Sequence, residues 1–141
     1  MAGNLGRVAT EFRDREKRKL LAIFRQSAQE LAEEANTPEA NGGRLPVDTG
    51  NLMNSQRAST QGMPAESSQP VALALVSVEL GQTVWIGWTA AYAMRQEHGF
   101  FGEDALGRVY AQPGKGFAHA AAQNWDVIVD RVTGDVRRRF G

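Results

Sequence analysis

The chain has 141 residues, 42% of them hydrophobic and 23% charged, and its 16 basic and 16 acidic side chains balance. This length suits one compact domain over residues 1–141, and the balanced charge gives no overall field that would draw the protein onto nucleic acid. Because cysteine is absent, disulfides and thiolate metal sites are excluded, and we expect neither a metal nor a cofactor.

The first predicted element is one long helix over residues 5–35. Charges of mixed sign fill it between Glu11 and Lys19, and no apolar stretch there would serve as a signal peptide. Two interpretations of this end stay open: a solvated face with ion pairs four residues apart, or a segment that projects from the domain to meet a neighbouring subunit. Glu16 weakens packing along the apolar stripe, which favours projection. The stripe recurs at steps of three and four residues and comprises Val8, Phe12, Leu20, Ile23, Phe24, Ser27 and Leu31.

A flexible connection near residues 36–45 leads to the triplet Asp48-Thr49-Gly50, which admits two interpretations. It is the active-site triplet of aspartic proteases, in which one carboxylate from each of two lobes activates a water. It also suits a helix start, with Asp48 as the N-cap and with Val47 and Leu52 spaced as a hydrophobic staple. In a protease the triplet ends an apolar strand, whereas here it follows a loop. We therefore favour the capped helix, which we expect to fade by Thr60.

Two strands are predicted after a second flexible connection near residues 59–70. They cover Val71 to Leu80 and Thr83 to Trp88, which are rich in β-branched and aromatic residues, and Gly81-Gln82 suits the tight turn of a hairpin. The first strand is the longest apolar run of the chain and is too short to span a membrane. Two strands alone are marginal, so the hairpin needs packed helices, further strands or another chain.

The last predicted elements are a short helix from Ala90 to His98, capped by Gly99, and a closing helix that begins at Phe117. Between them, residues 99–116 are predicted as a third flexible connection because they are rich in glycine. The predicted fold class is thus α+β: a long N-terminal helix, a small antiparallel sheet built on a hairpin, and a C-terminal helix packed on the sheet.

Catalytic patterns are scarce in this sequence. The two histidines, His98 and His119, do not stand at helical spacing from a second metal ligand. Gly114-Lys115-Gly116 lacks the frame of a phosphate-binding loop, and no serine lies in a nucleophile elbow. The basic run Arg137-Arg138-Arg139 either faces DNA phosphates or complements the C-terminus of the closing helix.

Three motifs follow one another along the chain. The first comprises Pro46, Asp48, Thr49, Gly50, Leu52 and Ser55, the second comprises Tyr92, Glu97 and Gly99, and the third is centred on Phe117 at the start of the closing helix. The order of these motifs resembles the minor tail-component or neck (tail-completion) proteins of long-tailed bacteriophages, the gene-product-ten-like family of lambdoid phages. The match covers roughly residues 5–136, and the third motif departs from the family because residues 114–120 lack its adjacent prolines.

The resemblance implies a structural virion protein of the head-to-tail junction, assembled in the host cytoplasm, and not an enzyme. As a tail-completion, tail-terminator or neck protein it would form a ring, often sixfold, bound to neighbouring neck and tail-tube proteins. Genomic DNA would pass through the lumen with transient, non-specific contact and no membrane would be involved. Two alternatives from other classes remain: a retroviral-type dimeric aspartic protease that uses Asp48, and a small nucleic-acid-binding module that uses Arg137 to Arg139.

Overall fold

The computed structural model describes residues 2–46, 50–103, 106 and 109–140, and in this part of the chain the α+β class is confirmed. The helices are α1 (Ala2–Ala35), α2 (Asn51–Asn54), α3 (Val71–Val76), α4 (Ala93–His98), α5 (Phe117–Gln123) and α6 (Trp125–Phe140), with a 3₁₀ turn at Glu39–Asn41. The strands are β1 (Gln56–Ser59), β2 (Trp85–Trp88), β3 (Gly99–Glu103) and β4 (Val109–Pro113).

The long N-terminal helix is confirmed, and α6 runs back along its C-terminal half. The amide of Asn124 donates to Glu34 at 2.9 Å, whereas Arg139 near the other end of α6 donates to Gln26 at 2.6 Å. The C-terminal helix therefore packs on α1 and not on the sheet, where we expected it; α5, its first part, reaches the sheet. Between α1 and α6 lies a buried cluster of Ile128, Val132 and Val136 with Ala22, Ile23 and Leu31 against it.

The predicted hairpin of residues 71–80 and 83–88 is wrong, because Val71–Val76 is helical. Val71, Ala74, Leu75 and Val78 are buried at helical steps, and the run alternates alanine with leucine, both good helix formers. Strand β2 pairs instead with β1, antiparallel, with Gln56 opposite Trp88. An apolar run of this length does not distinguish a buried strand from a buried helix.

The helix predicted from Asp48 towards Thr60 is also shorter than expected. Its N-cap is Gly50, which has a φ of 80°, and Val47, Asp48 and Thr49 lie outside the described residues. The helix ends at Asn54 because Ser55 turns the chain: its hydroxyl donates to the carbonyl of Leu52 at 2.8 Å. The Ser55 carbonyl then accepts the backbone N–H of Thr89 at 3.1 Å, so the chain enters the sheet.

The segment predicted as a flexible connection over residues 99–116 contains a second hairpin. Strands β3 and β4 pair antiparallel, with Gly99 opposite Pro113 and Glu103 opposite Val109. The segment's glycines suggested a loop, but its phenylalanines, tyrosine and valine are strand formers. The short helix before it is confirmed as α4, and Gly99 follows it with a φ of 88°.

Candidate assembly interface

Residues from the separate motifs pack together in one buried cluster. Leu52 from the first motif and Phe117 from the third are buried with Leu45. The ring of Phe117 meets the ring of Trp88 edge-on, with centroids 4.8 Å apart and planes at 80°. Aromatic pairs in this geometry add stability beyond their buried area. The first and third motifs therefore form part of the core.

Glu97 of the second motif joins α4 to the start of α5. Its carboxylate accepts the backbone N–H groups of Ala118 at 3.1 Å and His119 at 2.9 Å. These are donors of the first helical turn, which the helix itself leaves unpaired. A side chain 20 residues upstream thus caps α5 in place of a local cap.

The backbone between these two helices is close-packed at Gly114. A Cβ built there would lie 2.4 Å from the carbonyl oxygen of Glu97, so no larger residue fits without movement of the backbone. The next two N–H groups, of Lys115 and Gly116, donate to the carbonyls of Gln96 at 2.7 Å and Glu97 at 3.1 Å. Residues 114–116 are thus held by backbone contacts.

The other motif residues are structural or peripheral. Ser55 is buried and makes the turn described above, whereas Tyr92 is exposed on the surface and Pro46 is half-buried. The predicted cap Asp48 and its neighbour Thr49 lie outside the described residues.

Sequence reasoning missed the amide of Asn36, at the end of α1. Its oxygen accepts the indole N–H of Trp88 at 2.9 Å, and its nitrogen donates to the carbonyl of Met53 at 2.9 Å. One side chain thus ties α1 to β2 and to α2. Nothing in the sequence marked Asn36 beyond its place at the start of a predicted loop.

Among the residues that the structure describes, exposure is most continuous in the N-terminal half of α1, residues 4–20, which we call the arm. Every arm residue is exposed except Glu16 and Lys19, which are half-buried and pair with each other at 3.3 Å. Its apolar side chains are open to solvent: Leu5 is 74% exposed, Val8 60% and Phe12 61%. The arm therefore projects from the body, as one of the two interpretations predicted.

The neutral chain is polarised along α1. The arm carries six basic and three acidic side chains. The other end of the body is acidic, where Arg131 pairs with Glu30 at 2.8 Å and the Glu30 carboxylate raises the pKa of Arg131 above its usual value. We call this region the acidic end: Glu30, Glu33, Glu34, Asp126 and Asp130.

The three C-terminal arginines stand at the arm's end of the body. Arg138 pairs with Asp135, and Arg139 donates to Gln26. Two of the three are thus engaged within their own chain, while all three remain exposed. Their contact with DNA stays a prediction.

An apolar cleft of about 270 Å³ opens between α1, β2 and α5. All the side chains that line it are uncharged, and three come from the last turns of α1, where Glu33 and Glu34 are their neighbours in sequence. The lining residues are Leu31, Ala32, Ala35, Val84, Ile86, Trp88, Ala118, Ala121 and Ala122.

Within the described ranges no group of three or more histidine or acidic side chains is placed to hold a metal ion. None of the described helices combines the length and the apolar character needed to cross a membrane. Comparison of the chain with protein-family models, with curated proteins and with solved structures finds no match in any of the three.

Proposed function

We propose that the protein is a structural virion component, a ring subunit of the head-to-tail junction of a long-tailed phage, through which DNA passes. The arm carries this proposal. Helices in proteins are stabilised chiefly by packing of their apolar face. The apolar face of the arm has no packing partner among the described residues, which suits a subunit that completes its structure in an assembly.

The motif residues support a structural role. Leu52 and Phe117 fill a core, and the Glu97 carboxylate is engaged in capping α5. A side chain fixed in this way serves architecture better than proton transfer. Leu52, Glu97 and Phe117 thus help to build the body from which the arm projects.

The protease alternative has less support. A retroviral-type aspartic protease is almost entirely β, whereas the described residues are mainly helical, with two sheets of two strands each. Which layer of the neck the protein forms, and whether the ring is sixfold, are parts of the proposal that rest on the resemblance alone.

A complementation assay in the phage tests the function. Deletion of the gene should leave full heads and separate tails that do not join, and the intact gene supplied in trans should restore infectious particles. A variant without residues 2–18 should fold but not restore joining. Met63→Ser, at another exposed apolar side chain, is the matched control and should restore it. Normal particles from the deletion mutant would refute the proposal.

A further inference from the structure

We propose that the arm of one copy docks on the acidic end of the next copy, with its apolar stripe over the apolar cleft. The contact is head to tail, between two different surfaces of the same chain. This inference rests on the proposed function, because it names the contact that would join neighbouring subunits of the ring.

The stripe of the arm continues the line of α1 that α6 covers in the body. From Phe12, steps of four, three and four residues lead through Glu16 and Lys19 to Ile23, which packs against α6. Residues this far apart lie on the same side of a helix. Since α6 ends near the base of the arm, the stripe passes beyond it and is left without cover from the described chain.

Charge favours the acidic end as the docking surface. The arm has an excess of three positive charges, and the remainder of the neutral chain has the matching negative excess. Two arms packed on each other would bring like charges together, whereas an arm on the acidic end brings opposite charges together. Of the acidic-end residues, Glu33, Glu34, Asp126 and Asp130 are exposed and accessible to a partner.

The cleft supplies the apolar half of the same surface. An exposed stripe with basic neighbours on the arm thus matches an apolar cleft with Glu34 near its border, since Glu34 accepts the amide of Asn124, two residues beyond the cleft-lining Ala122. A cleft of about 270 Å³ has room for a large side chain such as Phe12. Buried aromatic anchors of this kind supply much of the affinity of protein interfaces.

In the proposed contact, which joins two surfaces of the same chain sequence, a single chain cannot supply both. Phe12 and Leu31 lie on one continuous helix, so they are held about 28 Å apart along its axis at a rise of about 1.5 Å per residue. The partner is therefore a second copy. A contact between two different surfaces repeats from copy to copy and gives a ring when the rotation closes.

Charge reversal tests the direction of the contact. The arm variant is Arg15→Glu/Arg18→Glu, and the body variant is Glu33→Lys/Asp130→Lys, with circular dichroism as the check on folding. In sedimentation velocity each variant alone should associate at least tenfold more weakly than the wild type, because the paired charges then repel. An equimolar mixture should associate again, since each arm meets a complementary body.

A second pair of variants tests the apolar anchor. Phe12→Ser should weaken association roughly 30-fold, as expected for the loss of a central anchor. Met63→Ser is the control: Met63 is 75% exposed but lies outside both surfaces, and association should be unchanged.

Three outcomes would overturn the inference. They are a wild-type chain that stays monomeric at millimolar concentration, reversed variants that associate like the wild type, and weak variants whose mixture is not restored. A body variant that associates like the wild type, together with a weakened arm variant, would instead indicate contact between arms. None of these refutes the proposed function, which is tested separately by the joining of heads and tails.

Discussion

At the scale of single residues, the body is held by polar side chains that act across long stretches of sequence. Glu97 caps α5, and Arg25 of α1 donates to the carbonyls of Val76 at 2.9 Å and Val78 at 2.8 Å, at the end of α3. Asn36 links three elements. Helices of six or seven residues have few internal hydrogen bonds, so such remote partners satisfy much of their backbone.

Glu97→Ala should lower the free energy of unfolding by about 1–2 kcal/mol, because two N–H groups of α5 lose their acceptor. Glu97→Gln keeps one oxygen acceptor and should cost less than alanine. Urea unfolding measures both, with Glu11→Ala on the exposed arm as the control that should leave stability unchanged. Equal stability of Glu97→Ala and the wild type would contradict the cap.

Two buried serines should respond to alanine in opposite ways. Ser27 is fully buried and its hydroxyl has no partner among the described residues, so Ser27→Ala should leave stability unchanged or raise it by up to about 1 kcal/mol. Ser55 donates to Leu52, so Ser55→Ala should cost about 1 kcal/mol. Thermal unfolding of the two variants side by side gives the comparison. A loss at Ser27 as large as at Ser55 would show that its hydroxyl is bonded.

At the scale of elements, the sequence was sufficient where a pattern was long. Helix α1 and the closing helical segment repeat their apolar residues over many turns, and both were predicted. The run of residues 71–76 was too short for its period to identify it. Strand β1 was missed because it exists through pairing with β2, about 30 residues away, which no local pattern reveals.

The candidate site could be predicted only in part. Leu52, Glu97 and Phe117 were identified by their motifs, but their meeting in space, and the capping of α5 by Glu97, depend on tertiary structure. The arm was predicted as one of two alternatives, since only packing decides whether an apolar stripe is covered. The acidic end was not predicted, because the net charge of zero does not show how the charged side chains are distributed.

Removing residues 2–18 should change the free energy of unfolding of the monomer by less than about 0.5 kcal/mol, because exposed side chains contribute little. Ile23→Ala, in the part of α1 that packs on α6, should cost about 2–4 kcal/mol. Chemical unfolding at low protein concentration separates the two. A large loss from the truncation would mean that the arm packs on its own body.

At the scale of the whole molecule, charged side chains are unevenly distributed. Basic side chains are in excess on the arm, whereas the carboxylates of the acidic end lie away from it. A polarised neutral protein is suited to ordered contact with copies of itself, since its ends attract and its like ends repel. Arg137 to Arg139 lie on the side of the arm, away from the acidic end, since Arg139 donates to Gln26.

Self-association should therefore weaken with salt. Raising the ionic strength from about 0.05 M to about 0.5 M shortens the screening length several-fold, and we expect at least a tenfold weaker association. Sedimentation equilibrium in sodium chloride measures it, and the Phe12→Ser variant provides a comparison with the anchor removed. If the affinity of self-association does not change with the salt concentration, the charges do not contribute to it.

Because α1 is continuous from the body to the arm, the number of residues in α1 determines the direction in which the stripe of the arm faces. Each residue inserted into a helix turns everything before it by about 100°, so one extra residue after Lys19 would rotate the stripe away from its target. Seven extra residues complete nearly two turns and lengthen the helix by about 10 Å, which restores the direction of the stripe and extends its reach. In the proposed contact, the number of residues in this one helix would thus set both the angle and the span between neighbouring copies.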